Sequence, residues 1–223
     1  MSGGTASEKP GSFLVLEGLD GAGTTTQGHL LVERLRASDE KAQLTGEPSE
    51  GPVGALLRQI LRRRIDWGDA GTGERLSTDA LALLFAADRL DHLRREILPL
   101  LSSGAHVVCD RYFLSSYAYQ MSADRANLDW LRGINSRARR PDLTIYLKTP
   151  ATVSARRREA RREEELLEAG EFQRRVEANY DHVVRVLSEE AEPIETVDGD
   201  RPVEAVAADI WTRISARIPR LAT

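Results

Sequence analysis

The residues best suited to chemistry lie in one short stretch, Gly18-Leu19-Asp20-Gly21-Ala22-Gly23-Thr24-Thr25, which follows the apolar run Phe13–Leu16 and precedes a helical pattern. Three glycines in six residues let a backbone fold back on itself with its amide N–H groups pointing inward. The positive end of the following helix adds to that field, so the stretch suits a chain of phosphates. The frame is Gly-x-x-x-x-Gly-Lys-Ser/Thr with one exception: Thr24 stands where the lysine belongs. Thr25 falls where a hydroxyl binds Mg2+. Gly18, Leu19, Asp20, Gly21, Ala22, Gly23, Thr24, Thr25 and Thr26 are therefore the candidate phosphate-holding residues. The competing reading is a plain strand–turn–helix corner. Loss of one preorganised charge donor typically costs about 3–4 kcal/mol of transition-state stabilisation. Against the roughly 8–23 kcal/mol that enzymes supply, that loss is severe but survivable.

Further candidates stand at element ends. Phe85 and Arg89 are four apart and share one helix face. Phe85 reads either as core packing or as a platform for a base, and an arginine one turn on fits poorly with a dry core. Asp110 closes an apolar run, where a carboxylate holds Mg2+ or caps the next segment. Arg111 follows it, as a phosphate ligand or a surface ion pair. Arg156, Arg157, Arg158, Arg161 and Arg162 precede Glu163-Glu164-Glu165, a pattern that also suits a solvated, salt-bridged helix.

Short apolar strands alternate with helices along the chain. Strands are expected at Phe13–Leu16, Gln43–Thr45, His106–Cys109 (ending at Asp110), Leu143–Leu147 and Ile194–Val197. Helices are expected from Thr25 to about Ser38 (Leu30, Leu31 and Leu35 inward), from Val53 to Leu61, from about Thr78 to Leu101 with a bend at Pro99, and over Ala151–Leu167. Phe172, Val176, Tyr180, Val183 and Leu187 make a further helical stripe, and Val203, Val206, Ile210 and Ile214 a closing one. Arg62–Gly73 reads as loop. The alternation implies an α/β fold, a mainly parallel sheet covered on both faces, with ligands beyond the carboxyl ends of its strands.

The 223 residues fit one domain, 41% apolar and 30% charged. Residues 1–11 read as a disordered tail without the features of a signal peptide, and 12–223 as a single domain. No apolar run approaches a membrane span. The net charge of −4 argues against nucleic acid or an anionic membrane as partner. The single cysteine, Cys109, excludes an internal disulfide and fits a buried, reduced thiol in the cytoplasm. Lysines occur only at Lys9, Lys41 and Lys148, so nearly all cations are arginines.

From about residue 12 to 215 the order and spacing of motifs resemble thymidylate kinases. The resemblance rests on Phe13–Gln27, Glu47-Pro48, Leu84-Phe85-Ala86-Ala87-Asp88-Arg89, and Asp110-Arg111-Tyr112 with Ser115, Ser116, Ala118, Tyr119 and Gln120. It rests also on Arg140-Pro141-Asp142-Leu143-Thr144 and Phe172–Tyr180. It implies a P-loop NTPase-type three-layer sandwich, nucleoside monophosphate kinase-like, with a parallel five-stranded sheet and a small helical lid at about 153–170. It implies ATP as donor, dTMP as acceptor, Mg2+ at Thr25 and Asp110, and a homodimer. Glu47, Pro48, Phe85, Arg89, Arg111, Ser116 and Tyr119 become acceptor-binding residues. Phe85 would stack on thymine, Arg89 bond its carbonyl, and Ser116 reach the base edge. Tyr119 would crowd the sugar's 2′ position, though simple packing explains it as well. Asp20, facing the acceptor sugar, and Arg111, Arg156 and Arg161 become catalytic residues; a turn-forming role for Asp20 competes. Gly21 and Ala22 after Asp20 fit the type that carries its arginines in the lid.

Three positions depart from the family pattern: Thr24, Gly46 in place of an arginine before Glu47, and Lys148 where the fourth strand usually ends in Asp. In the family's sheet order Lys148 would emerge beside the loop and partly replace the absent lysine, unless it is an ordinary strand-end lysine. A kinase for another nucleotide or nucleoside, or an inactive nucleotide binder, remain the alternative functions.

Overall fold

The structure, a computed structural model, describes residues 10–62, 77–121, 127–159 and 168–221. Residues 1–9 of the expected tail, most of the 62–73 loop, Arg161, Arg162 and the three glutamates after them lie outside the described residues, as does the Arg158 side chain. Pro10 and Gly11 are not tail: Pro10 O accepts from Arg220 at 2.9 Å, and the buried Gly11 donates its N–H to Leu101 O at 2.8 Å.

The strands are β1 (Phe13–Gly18), β2 (Ala42–Gly46), β3 (His106–Asp110), β4 (Leu143–Lys148) and β5 (Ile194–Asp198). They form one parallel sheet in the order β2-β3-β1-β4-β5. All six residues of the central strand β1 are buried, as its apolar run requires. Its alternation separates the faces. Leu16 turns toward Gly28 of helix α1 (Thr24–Ala37). Glu17 turns the other way, to Ser115 of α5 (Phe113–Gln120) and Tyr180 of α8 (Glu168–Glu189). Helix α9 (Val203–Arg217) packs against α1, with Arg34 stacked 4.3 Å over the Trp211 ring. α2 (Pro52–Leu61) lies along α3 (Thr78–His92), which reaches α5.

Two differences from expectation have clear causes. The long helix expected over 78–101 is α3, a π turn at Leu93–Ile97 and α4 (Leu98–Ser102). Pro99 does not end it: it sits in the first turn of α4, and the wider turn before it accommodates the missing N–H. α5 and α6 (Leu128–Ile134) were not anticipated. α5 has no side-chain cap of its own; the Glu17 carboxylate accepts the Tyr112 and Ser115 N–H groups at 2.9 and 3.2 Å. Such a cap from a distant strand leaves no local signal.

α7 (Ala151–Glu159) begins the segment expected to be the lid, whose residues 160–167 lie outside the described residues. In α8 the expected stripe is buried at Val176, Tyr180, Val183 and Leu187, but Phe172 is exposed against Tyr119, ring centres 6.1 Å apart. Val203 is likewise exposed, unlike Val206, Ile210 and Ile214. In α1, Val32 is buried where Leu30 is only half-buried.

Candidate phosphate-binding and acceptor site

The loop between β1 and α1 has the geometry its glycines imply. Gly21 and Gly23 hold φ of 88° and 100°, the left-handed region that other residues avoid. Leu19 and Ala22 bury their side chains in the core, so the loop presents backbone outward. No side chain caps α1 and no acid lies in its first turn, which keeps the positive end open to an anion. Thr24 is buried. Thr25 is exposed and donates a 2.5 Å hydrogen bond to Asp110 Oδ2, while Asp110 Oδ1 is buried without a hydrogen-bond partner. A hydroxyl and an under-satisfied carboxylate side by side are hard oxygen donors, and they fit Mg2+, which takes one or two protein oxygens and completes its shell with water and phosphate.

Arg111 spans the loop mouth. Its backbone has φ 70°, held by its N–H on Leu16 O at 2.9 Å. The guanidinium donates to Gly18 O at 2.8 Å and to Asp20 Oδ1 at 2.7 Å, and lies 5.7 Å over the Tyr119 ring. The Asp20 N–H donates to Tyr119 Oη at 3.2 Å. Burial pushes the Tyr119 phenol up to about 12, so it stays protonated. Below, Ser115 Oγ donates to Glu17 Oε2 at 2.6 Å and accepts from Arg111 at 3.3 Å. Burial raises the Glu17 carboxyl above its ordinary value, outweighing the hydrogen bonds from Ser115 and Tyr112 and the charge of Arg111.

A second network lies on the side expected to take the acceptor. The Arg89 guanidinium is fully buried, paired with Glu47 at 2.6 Å, bonded to Ser116 Oγ at 3.1 Å and to Asn135 Oδ1, and 5.0 Å over the Tyr112 ring. Asp88 accepts from Ser49 N and Oγ at 2.7 and 2.6 Å. His92 Nε2 shares a 2.7 Å hydrogen bond with Thr45 Oγ1. Asp88, Arg89 and His92 thus stitch one face of α3 to the end of β2 and the segment after it. A cavity of about 430 Å³ opens here, lined by Thr45, Gly46, Glu47, Pro48, Asp110 and Arg111. Phe85, one turn from Arg89, is half-buried and outside the core cluster, as a base platform would be.

A sequence model described as thymidylate kinase matches residues 16–210. A protein of Pyrococcus abyssi named probable thymidylate kinase is 42% identical over 203 residues, 90% of this chain and 94% of the relative. Its namesake from Pyrococcus horikoshii is 41% identical over the same shares. One from Methanococcus maripaludis is 34% identical over 93% of this chain and 96% of its own. The chain belongs to the thymidylate kinase family.

Three positions then stand out against that thymidylate kinase frame. Lys148 does not turn to the loop: its ammonium pairs with Asp181 of α8 at 2.8 Å, on the sheet face opposite α1. At Gly46 a Cβ would come within 3.0 Å of Asp110 O, so the glycine lets the ends of β2 and β3 close together. Of the lid arginines expected to act, Arg156 is exposed and Arg161 is outside the described residues. Arg157, not singled out from its neighbours, bonds Gly199 O at 3.0 Å and Ala22 O at 3.4 Å. Glu17, Asp88, His92 and Asn135 were also missed as supports. For Asp88 and His92 the signal was available: polar residues one before and three after Arg89, on the same side of the helix as Arg89.

Proposed function

We propose that this chain catalyses phosphoryl transfer from ATP to dTMP, giving dTDP, with Mg2+. The observation that carries the reading is Arg89, buried against Ser116 and Glu47, with Glu47 lining the same cavity as Arg111. On this reading Arg89 is the base-recognising group at one side and Arg111 the phosphate-binding cation at the other. Glu47 and Pro48 form one wall of the acceptor site, Phe85 a platform for thymine, and Tyr119 the sugar contact. The amides of 18–26 hold the donor phosphates. Thr25 and Asp110 would hold Mg2+, which when bound offsets phosphate charge. Arg111 orients the attacking dTMP phosphate, and Asp20 fixes Arg111 from the loop. No covalent intermediate is needed: catalysis is positioning plus charge stabilisation, and lid arginines from 156–161 complete it.

Leu83 and Leu90 of α3, seven apart, and Leu61 of α2 are exposed apolar residues. We assign this face to a homodimer; sedimentation at monomer mass would exclude it. Among the described residues no helix is long and apolar enough to cross a membrane. A cytoplasmic enzyme without nucleic-acid partners stays the expectation, which rests on the net charge of −4 and the lone cysteine.

The deciding assay couples ADP formation to an acceptor panel. Turnover with dTMP supports the reading. Turnover with dCMP or a free nucleoside but not dTMP would make it a kinase of another acceptor. Tight dTMP binding with no ADP release at saturating Mg2+ and ATP would make it a binding protein.

A further inference from the structure

We infer that Asn135 is a positioning residue for base selection: it sets the direction in which Arg89 presents its remaining N–H groups to the acceptor base. This rests on the reading of Arg89 as the base-recognising group and goes beyond it by naming what aims that group. A guanidinium carries five N–H donors in a planar fork. In Arg89 the Nη2 donors are taken by Glu47 Oε2 at 2.6 Å and Ser116 Oγ at 3.1 Å. Nη1 donates to Asn135 Oδ1. What remains for a ligand is the second Nη1 hydrogen and Nε–H, which is buried with no hydrogen-bond partner among the described residues.

Glu47 and Ser116 hold the same nitrogen, so together they fix where one corner of the fork lies and not how the fork is turned. The Tyr112 ring, 5.0 Å from the guanidinium carbon, limits its tilt. Asn135 holds the other terminal nitrogen and so fixes the rotation, and with it the direction of the remaining hydrogens. Asn135 is itself held. It is buried, and its Nδ2 donates to Leu131 O at 2.8 Å, which leaves Oδ1 for the guanidinium; a flipped amide would set donor against donor. Its backbone closes α6, with its N–H on Arg132 O at 3.2 Å and its carbonyl accepting from the Ala138 N–H at 3.0 Å. Unlike Glu47 it carries no charge, so its loss leaves the buried ion pair in place and changes the aim of the fork. Aim matters because thymine and uracil offer a carbonyl oxygen where cytosine offers an amino group. A guanidinium only donates, so a fork held in one direction selects against cytosine, and a fork free to turn selects less.

The test is kcat/KM of the full chain for dTMP, dUMP and dCMP at saturating Mg2+ and ATP; where dCMP is not turned over, its inhibition constant against dTMP gives the ratio. Asn135→Leu should lower the preference for dTMP over dCMP roughly 2–10-fold, the worth of one hydrogen bond, and leave the preference for dTMP over dUMP unchanged. Asn135→Asp keeps an oxygen for Arg89 and gives up the bond to Leu131, so it should hold the dTMP-to-dCMP preference while Tm falls. If Asn135→Leu does not fold, Asn135→Ala, which adds no bulk, should show the same loss of preference. Arg89→Lys keeps a charge beside Glu47 without the fork and should lower the same preference. An unchanged preference in a folded Asn135→Leu or Asn135→Ala, with Arg89→Lys lowering it, overturns the inference and leaves Arg89 as the base reader. An unchanged preference in Arg89→Lys as well overturns the reading of Arg89 and the inference with it. A loss equal for all three acceptors, or one that Asn135→Asp shares in proportion to its fall in Tm, also overturns the inference, since it marks support of the fold alone.

Discussion

Arg89→Met tests how far the acceptor site is also a structural keystone. The guanidinium and the Glu47 carboxylate are 1% and 2% exposed and 2.6 Å apart. Removing the arginine leaves a carboxylate in the interior with His92 Nδ1, 3.5 Å from Glu47 Oε1, as its nearest remaining counter-group. Breaking a buried pair in this way costs about 3–5 kcal/mol, against a total stability of about 5–15 kcal/mol for an ordinary protein. At roughly 2–4 °C per kcal/mol for a chain of this size, Tm should fall by about 6–20 °C. The double variant Glu47→Gln/Arg89→Met removes the stranded charge, and it should regain more than half of the lost Tm, since an apolar replacement of the whole pair is often neutral. If Arg89 reads the base as proposed, the double variant should not regain dTMP turnover. Thermal melts by circular dichroism measure the first effect and the coupled assay the second. A fall in Tm below about 3 °C for Arg89→Met would refute the reasoning, as would a double variant no more stable than the single.

Asp110→Asn and Thr25→Ala should each raise the Mg2+ concentration for half-maximal activity by roughly 10–100-fold, read in a metal titration at fixed ATP; an unshifted midpoint would remove both from the metal site. Tyr119→Phe deletes the hydroxyl that accepts from the Asp20 N–H. It should weaken ATP binding by about 0.5–1.5 kcal/mol with little change in Tm, and a loss confined to Tm would show packing alone. The pH profile of stability should carry two opposite contributions. Burial raises the Glu17 carboxyl above 4.5, so folding holds its proton more tightly and stability falls as pH rises through the folded value. The Tm advantage of wild type over Glu17→Gln should therefore shrink as pH rises above the ordinary carboxyl range through the folded value, and a constant difference would contradict the sign. Burial opposes but hydrogen bonds from Arg217 and Arg213 depress the Glu195 carboxyl below 4.5. Its contribution is present above that value and lost as pH falls through the folded one, so Glu195→Gln should cost stability at neutral pH and nothing in strong acid.

What could be read from the chain alone was what local spacing encodes. The strand–glycine–helix corner at 13–25, the helical interval between Phe85 and Arg89, and Asp110-Arg111 at a strand end each follow from residues a few positions apart. The parallel order of strands follows from their alternation with helices. The supports were not legible, because their partners lie far along the chain. Glu17 caps α5 across 95 and 98 positions and meets Tyr180 across 163. Ser49 and Asp88 are 39 apart, Arg89 and Asn135 46. Lys148 failed for a related reason: its position in the sheet was inferred correctly, but alternation along β4 turns its side chain to α8 and Asp181.

That contrast bears on how the loop lost its lysine. A lysine at position 24 acts from within the loop's own sequence, so its absence is visible at once. Arg111, just after β3, reaches the loop through a backbone conformation and a set of partners drawn from β1, α5 and the loop itself. Glu17 beneath it ties those partners to α8, the helix that follows the lid segment. A guanidinium held at the loop in this way depends on several elements holding register at once. The prediction that follows is that Glu17→Gln and Ser115→Ala, though neither residue faces the loop, weaken ATP binding non-additively, each by less than Arg111→Met, because both act through the same guanidinium. Additive losses in a double-mutant cycle would mean that the two residues support the fold independently and that Arg111 holds its place without them.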